Sequence, residues 1–375
     1  MRNRKTILFS ARDAAAALYA APIIETALDD VRFRVVVVAQ EPALNIMTRR
    51  GIKCITITTS PVDDLHGAET QALLQEAECI LKNERPDSIV AGLSSPGQGG
   101  IDEALMRMRS CKGFLLQDFW GEWNCFFDRK PDVFLVLDRA AAKLTMARHG
   151  VGSIVVGSPR HAEYAGLDIA SMRQNARLRL GLLGGPVIGW FGQALHHLPG
   201  YAQTITAWSS AIRDLPVGVE VVYKPHPRES EEERQATLEI IRASVPKVHF
   251  LEGWPVEDAL VVCDSVCAIM SNCLYDAAYL NFYSNEPVIT PVAILQSALL
   301  YTHLVDQVSF EVLPYGALGL ANVALPENDL SAQLLAALGP SDMRDCWQAA
   351  KKHLASPDQA IDNVLNAIMA QFDES

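Results

Sequence analysis

Short runs of β-branched and apolar residues alternate with longer helix-patterned stretches along this chain. That alternation narrows the folds open to it more than any other feature. Candidate strands are Thr6–Ser10, Phe33–Ala39, Cys54–Thr58, Ser88–Gly92, Gly113–Gln117, Val133–Leu137 and Ser153–Val156. Helical patterns fall between them at Ala21–Asp29, Glu69–Asn83, Asp102–Arg109 and Arg139–His149. Strands that are apolar throughout, with helices between them, imply a parallel sheet covered on both faces. The pattern then restarts, with strands at Pro186–Phe191, Val219–Tyr223, Lys247–Leu251, Ser265–Met270 and Pro287–Pro291 and helices at Tyr201–Arg213, Glu231–Ala243 and Leu274–Leu280. Val156-Gly157-Ser158-Pro159-Arg160 and a polar stretch to about Leu183 separate the halves. The expected fold is α/β, with two Rossmann-like, doubly wound parallel-sheet domains facing a central cleft. The expected division is 1–158, 159–340, and C-terminal helices over 341–375, interrupted at Pro357, that pack back on the first domain.

A length of 375 residues agrees with two domains at about 150 residues each. The formal charge of −12 argues against a nucleic-acid or polybasic membrane-surface role, since both need fields of Lys and Arg. An apolar fraction of 49% excludes a disordered chain. No apolar run approaches the roughly 20 residues of a bilayer span. The basic start, Met1–Lys5, precedes an apolar stretch, but Arg12-Asp13 interrupts it, so Thr6–Ser10 reads as a strand and not as a signal-peptide core. The eight cysteines form no CxxC pair and read as reduced thiols of a cytoplasmic protein.

Ligands of open α/β sheets bind beyond the carboxyl ends of strands, so the informative residues follow strands. The strongest local signal is Tyr223-Lys224-Pro225-His226-Pro227-Arg228-Glu229. Two prolines hold such a loop extended. Alternation then sets Lys224, His226 and Arg228 on one side, as donors to an anion. Glu229, Glu231, Glu232 and Glu233 favour the N-terminus of their own helix and would repel a phosphate there, so side chains must hold the anion. Downstream, Ala268-Ile269-Met270-Ser271-Asn272-Cys273 is an apolar strand running into a helix. Either Ser271 or Asn272 fits the N-cap, and a helix N-terminus beside a hydroxyl suits an anion.

Lys-Pro-His-Pro after the second strand of a second α/β domain resembles the GT-B glycosyltransferases. The likeness is to the capsule and teichoic-acid branch: CDP-glycerol glycerophosphotransferases, bacterial sialyl- and polysialyltransferases, and Kdo transferases. The resemblance implies that His226 and Ser271 contact a donor phosphate. It also implies that Gly192 and Gln193, after the first strand of the second domain, lie near the donor. The Leu251–Asp258 region then meets the nucleotide base, with Trp254 as a platform. The sequence departs from the family in having Ser-Asn-Cys where two serines, or a glycine-rich turn and a glutamate, are usual.

In the first domain, Leu116-Gln117-Asp118-Phe119-Trp120-Gly121-Glu122-Trp123 follows a buried strand. An inverting transferase needs a base for the acceptor hydroxyl. Asp118 is the candidate, loosely resembling the acidic motif of bacterial sialyltransferases, and Glu122 is the runner-up. Trp120 and Trp123 read as sugar-stacking platforms or as core. Ser10 and Arg12 follow the first strand. Gly92-Leu93-Ser94-Ser95-Pro96-Gly97-Gln98-Gly99-Gly100 follows the fourth, and its glycines allow close backbone approach; with Ser94 and Ser95 it reads as an acceptor-side loop. It lacks the Walker and GxGxxG spacings. His196-His197 are adjacent and unsuited to one metal, and Lys224, His226 and Arg228 can neutralise a leaving phosphate, so no metal or other cofactor is expected.

The implied activity is inverting, metal-independent transfer of a sugar or glycerol-phosphate-like group from a UDP-, CMP-, CDP- or GDP-linked donor. The acceptor is a glycan or lipid-linked hydroxyl in bacterial surface-glycan synthesis or protein glycosylation. The expected location is the cytoplasm, with the inner face of the membrane open as a site of action. A hydrolysing UDP-GlcNAc 2-epimerase and a non-catalytic nucleotide-binding protein are the alternatives on the same scaffold.

Overall fold

The computed structural model of the chain describes residues 4–182, 184–216, 218–308 and 313–373. Met1–Asn3 at the basic start and Leu183 at the end of the polar stretch lie outside them. The chain divides into two compact units, one of Met1–Ala165 with Ala355–Ser375 and one of Gly166–Leu354.

The first unit runs β1 (Lys5–Ala11), α1 (Ala14–Asp29), β2 (Phe33–Ala39), α2 (Ala43–Arg49), β3 (Ile55–Thr56), α3 (Ala68–Glu84), β4 (Ser88–Gly92), α4 (Ile101–Met108), β5 (Lys112–Leu116), β6 (Val133–Val136), α5 (Arg139–His149) and β7 (Ser153–Val155). Its seven strands lie in the order β3-β2-β1-β4-β5-β6-β7, and every pairing is parallel. β4 is buried along its whole length, as a strand covered on both faces must be. Where α1 crosses β4 the approach is close: a Cβ on Gly92 would lie 2.5 Å from that of Ala16. The sequence pattern starts α1 at Ala21, yet the helix begins at Ala14 and carries Pro22 inside it. Four consecutive alanines at its start supply the propensity.

The second unit opens with α6 (Ile169–Leu180), within the stretch read as a polar connection. There follow β8 (Val187–Phe191), α7 (Tyr201–Arg213), β9 (Glu220–Lys224), α8 (Glu231–Ser244), β10 (Val248–Phe250), α9 (Val256–Val262), β11 (Ser265–Ala268), α10 (Cys273–Tyr283), β12 (Thr290–Ile294), α11 (Ala298–Val308), α12 (Pro314–Ala317), β13 (Asn322–Ala324), α13 (Leu330–Ala337) and α14 (Pro340–His353). The six-stranded parallel sheet has the order β10-β9-β8-β11-β12-β13. β12 lies three residues beyond its expected start. Pro291, its second residue, precedes the first pairing with β13 at Val292 and Asn322, so the missing N–H interrupts little of the ladder. The tail divides: α14 packs on α10 in the second unit, while α15 (Ala360–Asp373) packs on α1 in the first.

α6 shows why a polar stretch became a helix. Only Ile169 and Ala176 are buried. Arg173 instead donates to the carbonyls of Val261, Cys263 and Val288, and Arg177 donates to that of Val262. Both pair with Asp264. Asp168 caps the N-terminus through the amide of Ser171, 3.0 Å away.

Candidate functional site

In both sheets the direction of strand succession reverses once, between β1 and β4 and between β8 and β11. Loops that follow strands at such a reversal splay apart and leave a ligand crevice. In the second unit the ends of β9, β8 and β11 lie side by side, through Lys224 opposite Phe191 and Cys267 opposite Trp190.

Lys224 closes β9, half-buried. Burial lowers its pKa, Arg234 adds to that, and Cys273 at the start of α10 is close enough to act in the opposite sense. His226 donates its backbone N–H to the Glu229 carboxylate. Its ring Nδ1 accepts from the Arg228 amide at 3.1 Å, so the ring proton sits on Nε2. Burial, with Arg228 and Lys224 nearby, pushes the His226 pKa down to about 4. His226 is therefore a neutral Nε2–H donor at pH 7, and the charge for an anion comes from Lys224. The extended run stops at His226: the Glu229 amide bonds the His226 carbonyl at 3.1 Å, and this turn carries Arg228 to the surface. The strict alternation ends there, and Arg228 stays close enough to His226 to help lower its pKa.

Glu229 is also reassigned. It is a buried anchor, not one of the acids opening α8. Its side chain is fully buried and accepts from the Tyr223 hydroxyl at 3.2 Å, besides the His226 amide, with His196 Nε2 at 3.3 Å. His196 also meets Thr237, at 3.1 Å. α8 is capped instead by Ser230 and Glu233, each side chain bonded to the other's amide. Gly192 permits this packing, because a Cβ there would lie 2.5 Å from a Glu229 carboxylate oxygen. Gln193 is a brace: its Oε1 accepts from the amides of Ile269 and Met270 at 3.2 and 3.0 Å, tying the end of β8 to that of β11.

Asn272 occupies the N-cap position of α10, without a side-chain cap bond. Ser271 Oγ accepts from the Cys273 amide at 3.3 Å and its thiol at 2.9 Å. That leaves the Ser271 hydroxyl hydrogen; the Leu274 and Tyr275 amides of the first turn are already taken by the carbonyls of Ser271 and Asn272 at 3.1 and 2.9 Å, so the helix start offers its dipole and not free N–H groups. Trp254 is half-buried, and one face is covered by the Arg179 guanidinium, 4.1 Å from the ring centre. As a base platform it has one remaining face.

The first unit departs further from expectation. Ser10 and Ser94 donate their hydroxyls to the two oxygens of Asp102, each at 2.6 Å. Ser95 gives its amide and hydroxyl to Asp13 at 2.7 and 2.5 Å. Arg12, 3% exposed, donates to the Ser95 carbonyl. These bonds tie the serine hydroxyls and one Arg12 nitrogen into the 94–100 loop, while Arg12 Nε, buried, has no hydrogen-bond partner among the described residues. Burial raises the Asp102 pKa, while Ser10, Ser94 and Arg12 act against it. Trp120 is fully buried and donates its indole N–H to Asp138 at 2.9 Å, so it is core and not a stacking platform. Glu122 is engaged by Arg148 of α5 at 3.0 Å. Asp118 follows β5 and is 6% exposed.

Two carboxylates, Glu229 and Asp102, escaped the sequence reading. Each stands in an acidic group at a helix start, where the pattern reads as complementing the helix dipole. Among the described residues no group of three or more His, Cys, Asp or Glu could hold a metal ion. No helix among them is long and apolar enough to cross a membrane.

Neither a protein-family model nor a curated protein sequence matches the chain. Solved structures do. A Listeria monocytogenes protein assigned as a UDP-N-acetylglucosamine 2-epimerase superposes with a TM-score of 0.71 at 14% identity, over 100% of this chain and 98% of that one. The Neisseria meningitidis UDP-GlcNAc 2-epimerase bound to UDP-GlcNAc gives 0.67 at 10%, over 97% and 100%. A glycosyltransferase from Rickettsia africae gives 0.61 at 9%, over 99% and 98%. These likenesses establish the fold, two parallel-sheet α/β domains of the GT-B-like kind.

Proposed function

We propose that this protein is a nucleotide-sugar enzyme whose second unit holds a nucleotide diphosphate, and that its reaction is glycosyl transfer. The observation that carries the reading is that Lys224, the Nε2–H of His226 and the Ser271 hydroxyl follow neighbouring strands of the sheet beside its reversal point. The UDP-GlcNAc held by the Neisseria protein of like fold supports a UDP-linked donor. The Lys-Pro-His-Pro motif supports the capsule and teichoic-acid branch, and with it surface-glycan synthesis on the cytoplasmic side.

In this reading Asp118 accepts the proton of an acceptor hydroxyl as the oxygen attacks the anomeric carbon. The bond to the diphosphate oxygen breaks, and its electron pair leaves with the nucleotide. Lys224 offsets the charge that develops, while His226 and Ser271 donate hydrogen bonds to the phosphate oxygens. The glycan or lipid-linked acceptor belongs to the first unit.

A hydrolysing 2-epimerase is the second reading, favoured by the epimerases among the structures of like fold. Incubation with UDP-GlcNAc alone separates the two. Release of UDP and N-acetylmannosamine without an acceptor establishes the epimerase. UDP release that requires an added glycan acceptor establishes the transferase. No UDP binding at all sinks both.

A further inference from the structure

His226 lies between Pro225 and Pro227, so its amide is the sole main-chain N–H of that run. Glu229 holds this histidine from both sides. The Glu229 carboxylate accepts the His226 N–H, and the Glu229 amide donates to the His226 carbonyl at 3.1 Å. The ring Nδ1 accepts from the Arg228 amide at 3.1 Å. Its N–H, carbonyl and Nδ1 are thus all taken. Only the Nε2–H has no hydrogen-bond partner among the described residues.

The carboxylate that does this is itself fixed. Its Oε1 accepts from the Tyr223 hydroxyl at 3.2 Å and lies 3.3 Å from His196 Nε2, which Thr237 meets at 3.1 Å. Its Oε2 is the oxygen on the His226 amide, and the missing Cβ of Gly192 leaves space for it. The side chain is fully buried, so a ligand does not reach it. A carboxylate in such a place is costly to desolvate, and an apolar side chain of like volume would fill the space without that cost. What the acid adds is direction: it fixes where the backbone of His226 runs, and so where Nε2–H points.

We propose that Glu229 is a positioning residue of the nucleotide site, acting through His226 and not by touching the ligand. Tyr223 and His196 orient its carboxylate, and the carboxylate aims the imidazole at a phosphate oxygen. The inference rests on the proposed nucleotide site and adds the residue that sets its geometry.

A double-mutant cycle with His226→Ala, read by UDP calorimetry on the full chain, tests it. Glu229→Ala should weaken UDP binding about two- to tenfold, the worth of one neutral hydrogen bond. In the His226→Ala background it should weaken binding no further. Glu229→Gln should restore affinity, because its carbonyl oxygen accepts the His226 amide while its amide group faces the Tyr223 hydroxyl and His196 Nε2, both able to accept. Gly192→Ala places a methyl 2.5 Å from the carboxylate and removes no polar group, so it should repeat the loss even where Glu229→Ala does not fold. An equal loss in both backgrounds would reduce Glu229 to a structural role and overturn the proposal, as would full UDP affinity in folded Glu229→Ala.

Imidazole nitrogen NMR shifts of His226 in the free protein separate this inference from the nucleotide reading. Wild type and Glu229→Gln should show a protonated Nε2 and a bare Nδ1, whereas Glu229→Ala or Gly192→Ala should show mixed tautomers. If the wild type binds no UDP, the nucleotide reading falls and the positioning role is decided by these shifts. One shared pattern in all the variants would overturn it.

Discussion

The loop after β4 and the loop after β9 look alike in sequence. Both follow buried parallel strands, both mix small or rigid residues with polar ones, and both neighbour a reversal of strand order. The structure uses them in opposite ways. In the 94–100 loop the serine hydroxyls turn inward onto Asp102 and Asp13, and Arg12 closes over the loop backbone. In the 224–228 loop the inward partner is a backbone amide, that of His226 on Glu229, and the Lys224 ammonium and His226 Nε2–H stay available. A buried carboxylate anchors each loop. What differs is whether it takes side-chain donors, which silences them, or main-chain donors, which leaves the side chains for a ligand.

The largest effect should come from removing the anchor of the inward loop. Asp102→Ala strands two buried hydroxyls, and at about 1–3 kcal/mol each the unfolding free energy should fall by roughly 2–5 kcal/mol in urea titration. Loss of stability below about 1 kcal/mol, together with lost ligand binding, would mean that this loop faces a ligand after all. Lys224→Ala should act in the reverse sense, with UDP affinity falling by about 1.5–3 kcal/mol and little change in unfolding, as calorimetry and urea titration on the same variant would register.

Protonation sharpens the contrast further. Glu103 has a folded-state pKa raised to about 8, above its ordinary 4.5, so the folded state holds a proton that the unfolded chain releases. Its contribution to stability is fully present below about pH 4.5 and is lost as pH rises toward 8. In Glu103→Gln the thermal midpoint should decline less than in the wild type between pH 5 and 8, by the equivalent of about 1 kcal/mol or more. His226 has the opposite sign. Its pKa is lowered to about 4, so stability present above its ordinary 6.5 is lost as pH falls toward 4. As a neutral donor it should be worth about 0.5–1.5 kcal/mol to UDP binding, nearly constant from pH 6 to 8. A His226→Ala penalty that grows steeply below pH 7 would show a charged imidazole instead.

The strands were legible because each is a continuous apolar run, which burial on both faces of a parallel sheet demands. α6 was hidden because guanidinium bonds to carbonyls hold it, and these leave no hydrophobic period. In the candidate site, the places of Lys224, His226 and Ser271 just after strands could be read. Glu229 and Asp102 could not, because an acid at a helix start looks the same whether it serves the helix dipole or reaches back into a loop. Trp120 shows the converse ambiguity: an aromatic at a strand end reads equally as a platform or as core, and the bond of its indole N–H to Asp138 decides for core.

The central claim is that the loop after β9 faces the nucleotide and the loop after β4 does not. Amide chemical shifts followed by NMR during a UDP titration test it most directly. Saturable shifts should cluster at Lys224, His226, Arg228 and Ser271–Leu274, with Ser94–Gly100 unmoved. Shifts centred on Ser94–Gly100, or none that saturate, would contradict it.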